Sequence, residues 1–109
     1  MAIDIGLIGP DYDGNERTVS ICVKDNFSPY DRNLTGKLIA EAEANDIKHA
    51  IDIFYRYGTD ANAAVRAGNN VRGAAFGMAC YCSHGMERTH LDGVVETVKL
   101  ALAYMMDWK

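Results

Sequence analysis

At 109 residues, the chain is long enough for one domain with a modest hydrophobic core. Its hydrophobic and charged fractions of 49% and 24% are those of a soluble globular protein, and its net charge of −4 argues against nucleic acid or an anionic membrane as a partner. The chain has no secretory signal or membrane-length apolar run, and its odd cysteine count of 3 favours reduced thiols in the cytoplasm.

Turn residues and hydrophobic periodicity divide the chain into alternating strands and helices. The predicted elements are, in chain order, strands over 2–8 and 18–24, a helix from 28 to 45, a strand over 47–55, a helix over 60–67, a strand over 71–78 and a long helix from 91. This order predicts an α/β fold: a mixed sheet of about four strands flanked by helices in three layers.

The residue pattern also predicts how several of these elements are capped and buried. Ser28, followed by a proline, is the predicted N-cap of the first helix. The strand over 18–24 alternates apolar and polar residues, which predicts one less buried face. The apolar residues predicted to face the core from the last helix are Leu91, Val94, Val95, Val98, Leu102 and Met105.

Three segments carry the residues of chemical interest. Asp4 lies in the first apolar run, Tyr57-Gly-Thr-Asp-Ala61 follows the third strand, and Tyr81-Cys-Ser-His-Gly-Met-Glu-Arg-Thr-His90 follows the fourth. A carboxylate in an apolar strand must be paired or coordinated, because burial of an isolated charge costs several kcal/mol. Imidazole is the commonest neutral metal ligand near pH 7. Asp4 and His84 are therefore candidate metal ligands.

In this arrangement the three segments resemble the C-terminal third of the tetrahedral, glutamyl-type (deblocking) metalloaminopeptidases, some of which carry an endoglucanase label. In that family, an aspartate in a strand of this form binds one of two metals and a histidine after a strand binds the other. The resemblance implies that Asp4 and His84 each hold one divalent ion, zinc or cobalt. Glu87 follows His84 by three positions where the family spacing is four, and His90 is the alternative ligand.

The Gly-Thr-Asp-Ala segment is also typical of this family. Gly58 permits a sharp turn, Thr59 caps the helix, and Asp60 in the first turn interacts favourably with the helix dipole. Because capping alone accounts for these residues, we expect Thr59 and Asp60, together with Glu87, to support the metal ligands or to shape the substrate cleft.

A soft zinc site is an alternative for the third segment. If the strand continues through Tyr81, then Cys80, Cys82 and His84 share one face and present two thiolates and an imidazole. The simpler interpretation is that the two cysteines are small buried side chains that fill space beside a glycine-rich strand.

The resemblance further implies that part of a two-metal site is missing. In that family a histidine segment, a bridging aspartate and an adjacent Glu-Glu pair lie N-terminal to the matching region, and this chain contains no Glu-Glu dipeptide. The family's inserted oligomerisation domain has no counterpart either. Residues 1–109 are therefore predicted to form a single domain, the C-terminal part of a metallopeptidase catalytic domain.

These features predict part of a co-catalytic two-metal aminopeptidase that removes N-terminal residues from peptides. The chain alone is expected to be inactive and to hold its metals poorly or not at all, because the bridging aspartate and the glutamate base are missing. Its expected partners are peptide substrates and further copies of itself. The alternative is a non-catalytic α/β binding module that retains only the fold.

Overall fold

The structure is a computed structural model that describes residues 1–107. Its elements are β1 (Ala2–Ile3), β2 (Gly6–Leu7), β3 (Val19–Lys24), α1 (Arg32–Ala44), β4 (His49–Ile53), α2 (Asp60–Arg66), β5 (Ala75–Cys80) and α3 (Leu91–Met106). The sheet order is β1-β5-β3-β4, and β2 also pairs with β5. β1 and β2 run parallel to β5, β5 runs antiparallel to β3, and β3 runs parallel to β4. The predicted mixed sheet is therefore confirmed.

The helices cover both faces of this sheet. Ile21 pairs with Phe76 in the register of β3 and β5, and both side chains join the core cluster that packs against α1 and α3. The next pair in the register, Cys22 and Ala75, points to the opposite face, where Ala61 of α2 packs. Within residues 1–107, no helix combines the length and apolar character needed to cross a membrane.

The first strand is interrupted where the sequence predicts a continuous buried strand over 2–8. The Asp4 carboxylate accepts a hydrogen bond of 2.8 Å from the backbone N–H of Ile5 on the side away from β5, whereas the Asp4 N–H donates to the Phe76 carbonyl of β5. The Asp4 backbone lies directly against Gly77 of β5, where a Cβ atom would overlap the Asp4 carbonyl oxygen. This close approach explains why β5 needs a glycine at this position.

The predicted less buried face of the second strand is wrong, because Ser20 and Cys22 of β3 are as buried as Val19 and Ile21. β3 is central in the sheet, and the polar side chain of Ser20 has its hydrogen-bond partner inside the protein. The Ser20 hydroxyl donates a 2.9 Å hydrogen bond to Asp52 of β4. Alternating polarity therefore marks a hydrogen-bonded buried face here and not a solvated one.

The first helix begins later than predicted. Its N-cap is Asp31, whose carboxylate accepts a 2.8 Å hydrogen bond from the Leu34 N–H, and the predicted cap Ser28 lies outside the helix. Residues 25–30 instead fold back on the end of β3, where the Tyr30 N–H donates to the Val23 carbonyl. The helix ends at Ala44 and Asn45 is its C-cap, close to the predicted end. The strand predicted over 71–78 is β5, at 75–80.

The predicted inward face of the last helix is also wrong. α3 buries Gly93, Glu96, Thr97 and Leu100. The exposed apolar residues of α3 are Leu91, Val95, Val98, Leu102, Met105 and Met106, whereas Val94 is half-buried. α3 therefore presents an apolar stripe to solvent.

Candidate metal-binding site

A cavity of about 540 Å³ lies beside the interruption between β1 and β2. Its lining residues are Asp4, Ile5, Asn26, Arg56, Tyr57, Gly58, Ser83, His84 and Glu87. The carboxylate and the imidazole singled out in the sequence thus line the same cavity, although they are distant along the chain. Three separate loops complete its wall, after β3, after β4 and after β5.

Asp4 is held in the cavity wall by its own backbone. Its N–H donates a 3.0 Å hydrogen bond to the Phe76 carbonyl, and its carboxylate bonds the Ile5 N–H. The Tyr57 hydroxyl donates a 2.7 Å hydrogen bond to the Ile5 carbonyl. Ile5, the residue that follows Asp4, is thus bound through both its N–H and its C=O, which restricts where the Asp4 carboxylate lies.

His84 lies at the turn of a short loop that follows β5. Backbone hydrogen bonds in both directions between Tyr81 and Arg88, of 2.8 and 3.2 Å, close this loop. Cys82 and His84 both have left-handed backbone conformations, with φ of 56° and 65°. Such conformations are uncommon in residues other than glycine, and strained residues of this kind cluster at functional sites.

This loop rules out the soft zinc alternative. The strand ends at Cys80, which is buried, whereas Cys82 is exposed in the turn, so the two thiols do not share a strand face with His84. Across residues 1–107, no group of three or more His, Cys, Asp or Glu side chains is positioned to hold a metal ion. Asp4 and His84 are therefore a candidate pair of ligands and not a complete set.

Glu87 and His90 have different positions around this loop. The Glu87 carboxylate lines the cavity and accepts a 3.3 Å hydrogen bond from the His84 N–H, so it braces the turn that carries the imidazole. His90 is the N-cap of α3, and its Nδ1 accepts a 2.9 Å hydrogen bond from the Asp92 N–H. The structure thus gives His90 a capping role, away from the residues that line the cavity.

The Gly-Thr-Asp segment borders the site on two sides. Gly58 lines the cavity that contains Asp4 and His84. Asp60 lines a second cavity of about 380 Å³, together with Asp4 and Arg72. Thr59 occupies the N-cap position of α2 but makes no capping hydrogen bond through its side chain. Its buried hydroxyl bonds to the Tyr30 hydroxyl instead, which corrects the predicted cap.

Asp25, which follows β3, is a buried carboxylate that the sequence reasoning missed. It is 0% exposed and accepts hydrogen bonds from the N–H groups of Phe27, Ser28 and Thr59, the Tyr30 hydroxyl and the Asn62 amide. Burial by itself raises the pKa of Asp25, but these donors outweigh it and hold the pKa below its usual range. The carboxylate thereby ties the Gly-Thr-Asp turn to the end of β3.

Tyr57, Asn26 and Arg56 also escaped the sequence reasoning. The Asn26 N–H donates a 2.9 Å hydrogen bond to the Tyr57 carbonyl, so the loops after β3 and β4 form one wall. Burial raises the pKa of Tyr57, which keeps its hydroxyl protonated as a donor. The sequence did contain one indication of these residues, since all three follow predicted strands, as Thr59 and His84 do.

Comparison with known proteins identifies the class to which this fold and cavity belong. The family profile of the M42 glutamyl aminopeptidases matches residues 1–100. The chain therefore belongs to the M42 glutamyl aminopeptidase family, and the resemblance predicted from the sequence is confirmed. It is 38% identical over 105 residues to the putative aminopeptidase YhfE of Bacillus subtilis (strain 168), an alignment that covers 96% of this chain and 30% of that protein.

Solved structures show the same fold. PhTET1-12s, a dodecamer in its asymmetric unit, superposes with a TM-score of 0.84 at 26% identity, covering 98% of this chain and 33% of that one. The TET1 peptidase of Pyrococcus horikoshii, described as assembling into a tetrahedron or an octahedral shell, gives a TM-score of 0.81 at 24% identity over 95% of this chain and 31% of that one. The chain thus spans about a third of the length of these relatives.

Proposed function

We propose that this chain contributes two metal ligands, Asp4 and His84, to the co-catalytic centre of an aminopeptidase that removes N-terminal residues from peptides. One observation carries the proposal. In a chain of the M42 family, a carboxylate from the β1–β2 interruption and an imidazole from the loop after β5 line one cavity. A carboxylate and a neutral imidazole are a donor set suited to zinc or cobalt.

The chain's own residues have distinct parts in this proposal. When bound, a pair of divalent ions supplies Lewis-acid polarisation of the scissile carbonyl and a water of lowered pKa. The Asp4 carboxylate and the His84 imidazole each provide one protein ligand, and Glu87 fixes the turn that carries His84. Asp60, across the second cavity from Asp4, shapes the substrate cleft.

Two ligands are fewer than the three protein ligands of a typical catalytic zinc ion. We therefore propose that residues 1–109 alone do not hydrolyse peptides. The remaining metal ligands and the general base are proposed to come from a protein segment that corresponds to the part of the relatives that this chain does not cover. The same incomplete ligand set favours the alternative, a non-catalytic α/β binding module. The experiment below separates the two.

The test is a chimera in which this chain replaces the matching segment of YhfE. With added cobalt or zinc, we expect the chimera to release 4-nitroaniline from aminoacyl 4-nitroanilides. Asp4→Asn and His84→Ala should each lower kcat/KM by about 100-fold or more, since loss of a ligand exceeds the loss caused by a supporting residue.

Matched histidine variants serve as controls for this experiment. His90→Ala and His49→Ala remove imidazoles that cap α3 and lie on β4, and each should leave kcat/KM within about twofold. Full activity in the His84→Ala chimera, or its loss in the His90→Ala chimera, would contradict the ligand assignment. A folded chimera without activity would favour the binding module.

The proposed setting of the protein follows from its surface and its thiols. We propose a cytoplasmic location, supported by three free cysteines, Cys22, Cys80 and Cys82. We also propose that the chain associates with further copies of itself, supported by the apolar stripe on α3 and by relatives whose structures are described as large assemblies.

A further inference from the structure

We propose that Tyr57 is a positioning residue for the metal-binding carboxylate: by binding the Ile5 carbonyl, its hydroxyl fixes the residue that follows Asp4. This inference rests on the proposed function. It assigns a role to a residue outside the ligand set, in the loop that precedes the Gly-Thr-Asp turn. Asp4 would otherwise lie in a break between two strands of two residues each.

β1 and β2 lie at the edge of the sheet, so only one side of this segment is bonded to a strand: the Asp4 N–H bonds the Phe76 carbonyl of β5, and the Ile5 backbone faces the open side. Between β1 and β2 the Ile5 N–H bonds the Asp4 side chain and not a neighbouring strand. The Tyr57 hydroxyl reaches the Ile5 carbonyl at 2.7 Å, from a loop 52 positions away in the sequence. This side-chain contact thus takes the place of a neighbouring strand on the open side of the segment, next to the carboxylate that needs a fixed direction.

Tyr57 is itself held by contacts on two sides, so its hydroxyl has a defined position. Its ring centroid lies 4.9 Å from that of Phe54, in the core cluster below α2. Its carbonyl accepts the 2.9 Å hydrogen bond from the Asn26 N–H. Asn26 is adjacent to the buried Asp25, which also binds the Thr59 N–H. A continuous set of contacts therefore links the core to the Ile5 carbonyl, next to Asp4.

Tyr57 lines the cavity and orients Asp4 without being a metal ligand in this proposal. Glu87 makes a comparable contact beside the other candidate ligand, because its carboxylate binds the His84 N–H at 3.3 Å. A side chain that lines the cavity thus binds the backbone of His84 in one case and that of Ile5, next to Asp4, in the other. Residues that orient ligands in this way typically change metal affinity by about 10- to 100-fold when removed.

The experiment is a titration of uniformly ¹⁵N-labelled residues 1–109 with Mn²⁺, followed by paramagnetic broadening of amide signals. In the wild-type chain, broadening should be centred on the amides around Asp4 and His84. Tyr57→Phe, which removes only the hydroxyl, should raise the midpoint of this broadening about tenfold. His84→Ala should abolish it.

Tyr55→Phe is the matched control for this substitution. Its hydroxyl also makes a side-chain hydrogen bond, of 2.9 Å to Asp11, but it does not touch the Asp4 segment. A merely structural role for Tyr57 would lower the melting temperature and leave the Mn²⁺ midpoint unchanged. The positioning role raises the midpoint in Tyr57→Phe, while Tyr55→Phe keeps the wild-type midpoint.

The outcomes distinguish the inference from the proposed function. If His84→Ala and Asp4→Asn abolish the broadening and Tyr57→Phe retains the wild-type midpoint, the inference fails and the ligand assignment stands. If the broadening is unaffected by His84→Ala and Asp4→Asn, both fail. If it is absent in the wild-type chain, the inference fails, whereas the proposed function is then decided by the YhfE chimera. An equal rise in the midpoint for Tyr55→Phe would also overturn the inference, since weaker Mn²⁺ binding would then follow from loss of a tyrosine hydroxyl that does not contact the Asp4 segment.

Discussion

At the scale of single residues, the buried carboxylate of Asp25 is the most tightly bound charge near the site. The five groups that donate to it are all neutral, so hydrogen bonds and not an ion pair compensate its burial. Because the pKa of Asp25 is held below its usual range, the ionised form stabilises the folded state. This stabilisation is present above the ordinary aspartate pKa and is lost as the pH falls through the lower, folded-state value.

We therefore expect Asp25→Asn to lower the free energy of unfolding at pH 7 by about 3 kcal/mol, because an amide cannot accept from donors on both of its sides. Below about pH 4 the difference between variant and wild type should shrink, as Asp25 becomes protonated in the wild type. Urea unfolding from pH 3 to pH 7 measures both effects. The exposed control Glu43→Gln removes one charge and should change stability by about 0.5 kcal/mol or less. A difference for Asp25→Asn that stays constant down to pH 3 would contradict this account.

The sequence located some of these residues and not others, for a physical reason. Asp4 and His84 were predicted as candidates because their chemistry is unusual for their local surroundings. Asp25 and Tyr57 are not locally unusual. Their roles come from contacts with residues 37 and 52 positions away, to Asn62 and Ile5, which no local pattern encodes. Supporting residues therefore became visible only once the loops were assembled.

At the scale of elements, β5 depends on a glycine that packs against the Asp4 backbone. Gly77→Ala should destabilise the fold by about 2 kcal/mol, since its Cβ would overlap the Asp4 carbonyl oxygen and force the β1–β2 segment away. Gly36, inside α1, is the matched control because a Cβ there meets nothing within 4 Å. Gly36→Ala should stabilise by about 0.5–1 kcal/mol. Thermal and urea unfolding of both variants would test this, and equal signs for the two would refute it.

Two leucines of α3 allow a second matched comparison. Leu100 is 0% exposed in the core cluster, whereas Leu102 is 50% exposed on the outer stripe. Leu100→Ala should cost about 3 kcal/mol through lost burial and a cavity. Leu102→Ala should change stability by about 0.5 kcal/mol or less. If α3 had the orientation predicted from the sequence, Leu102→Ala would destabilise the protein more than Leu100→Ala. Urea unfolding of the two variants therefore distinguishes the two orientations.

The type of each element could be predicted from the sequence better than its orientation. α3 was predicted to bury its most apolar stripe, yet it packs through a face that includes Gly93 and Thr97. A Cβ atom at Gly93 would lie 2.5 Å from the Glu16 carbonyl oxygen, so glycine allows the helix to approach the backbone before β3 closely. A hydrophobic stripe indicates a face that avoids water. It does not indicate whether this chain or another surface covers that face. Close packing by small residues depends on the neighbouring backbone, which periodicity does not report.

At the scale of the whole molecule, the outer stripe of α3 favours self-association. Its exposed residues Leu91, Val95, Val98, Leu102 and Met105 follow the alternating spacing of four and three that pairs helices in coiled coils. We expect a dimer or larger species in sedimentation at about 100 µM. The double variant Val98→Glu/Leu102→Glu should be monomeric, because charge in an apolar contact is costly. Met86→Glu, at an exposed loop, should leave the oligomer intact. A monomeric wild type would refute the expectation.

The pairing of β1 and β2 with β5 also sets an order of events during biosynthesis. Ala2 pairs with Ala75 and Gly6 with Ala79, whereas β3 and β4 pair across the single helix α1. Contacts between distant residues close large loops and form slowly. As the ribosome extends the chain, β3, α1 and β4 can assemble early, while the N-terminal segment waits for residues 75–80 to emerge. The surroundings of Asp4, although they precede β5 along the chain, are thus among the last parts of the molecule to take shape.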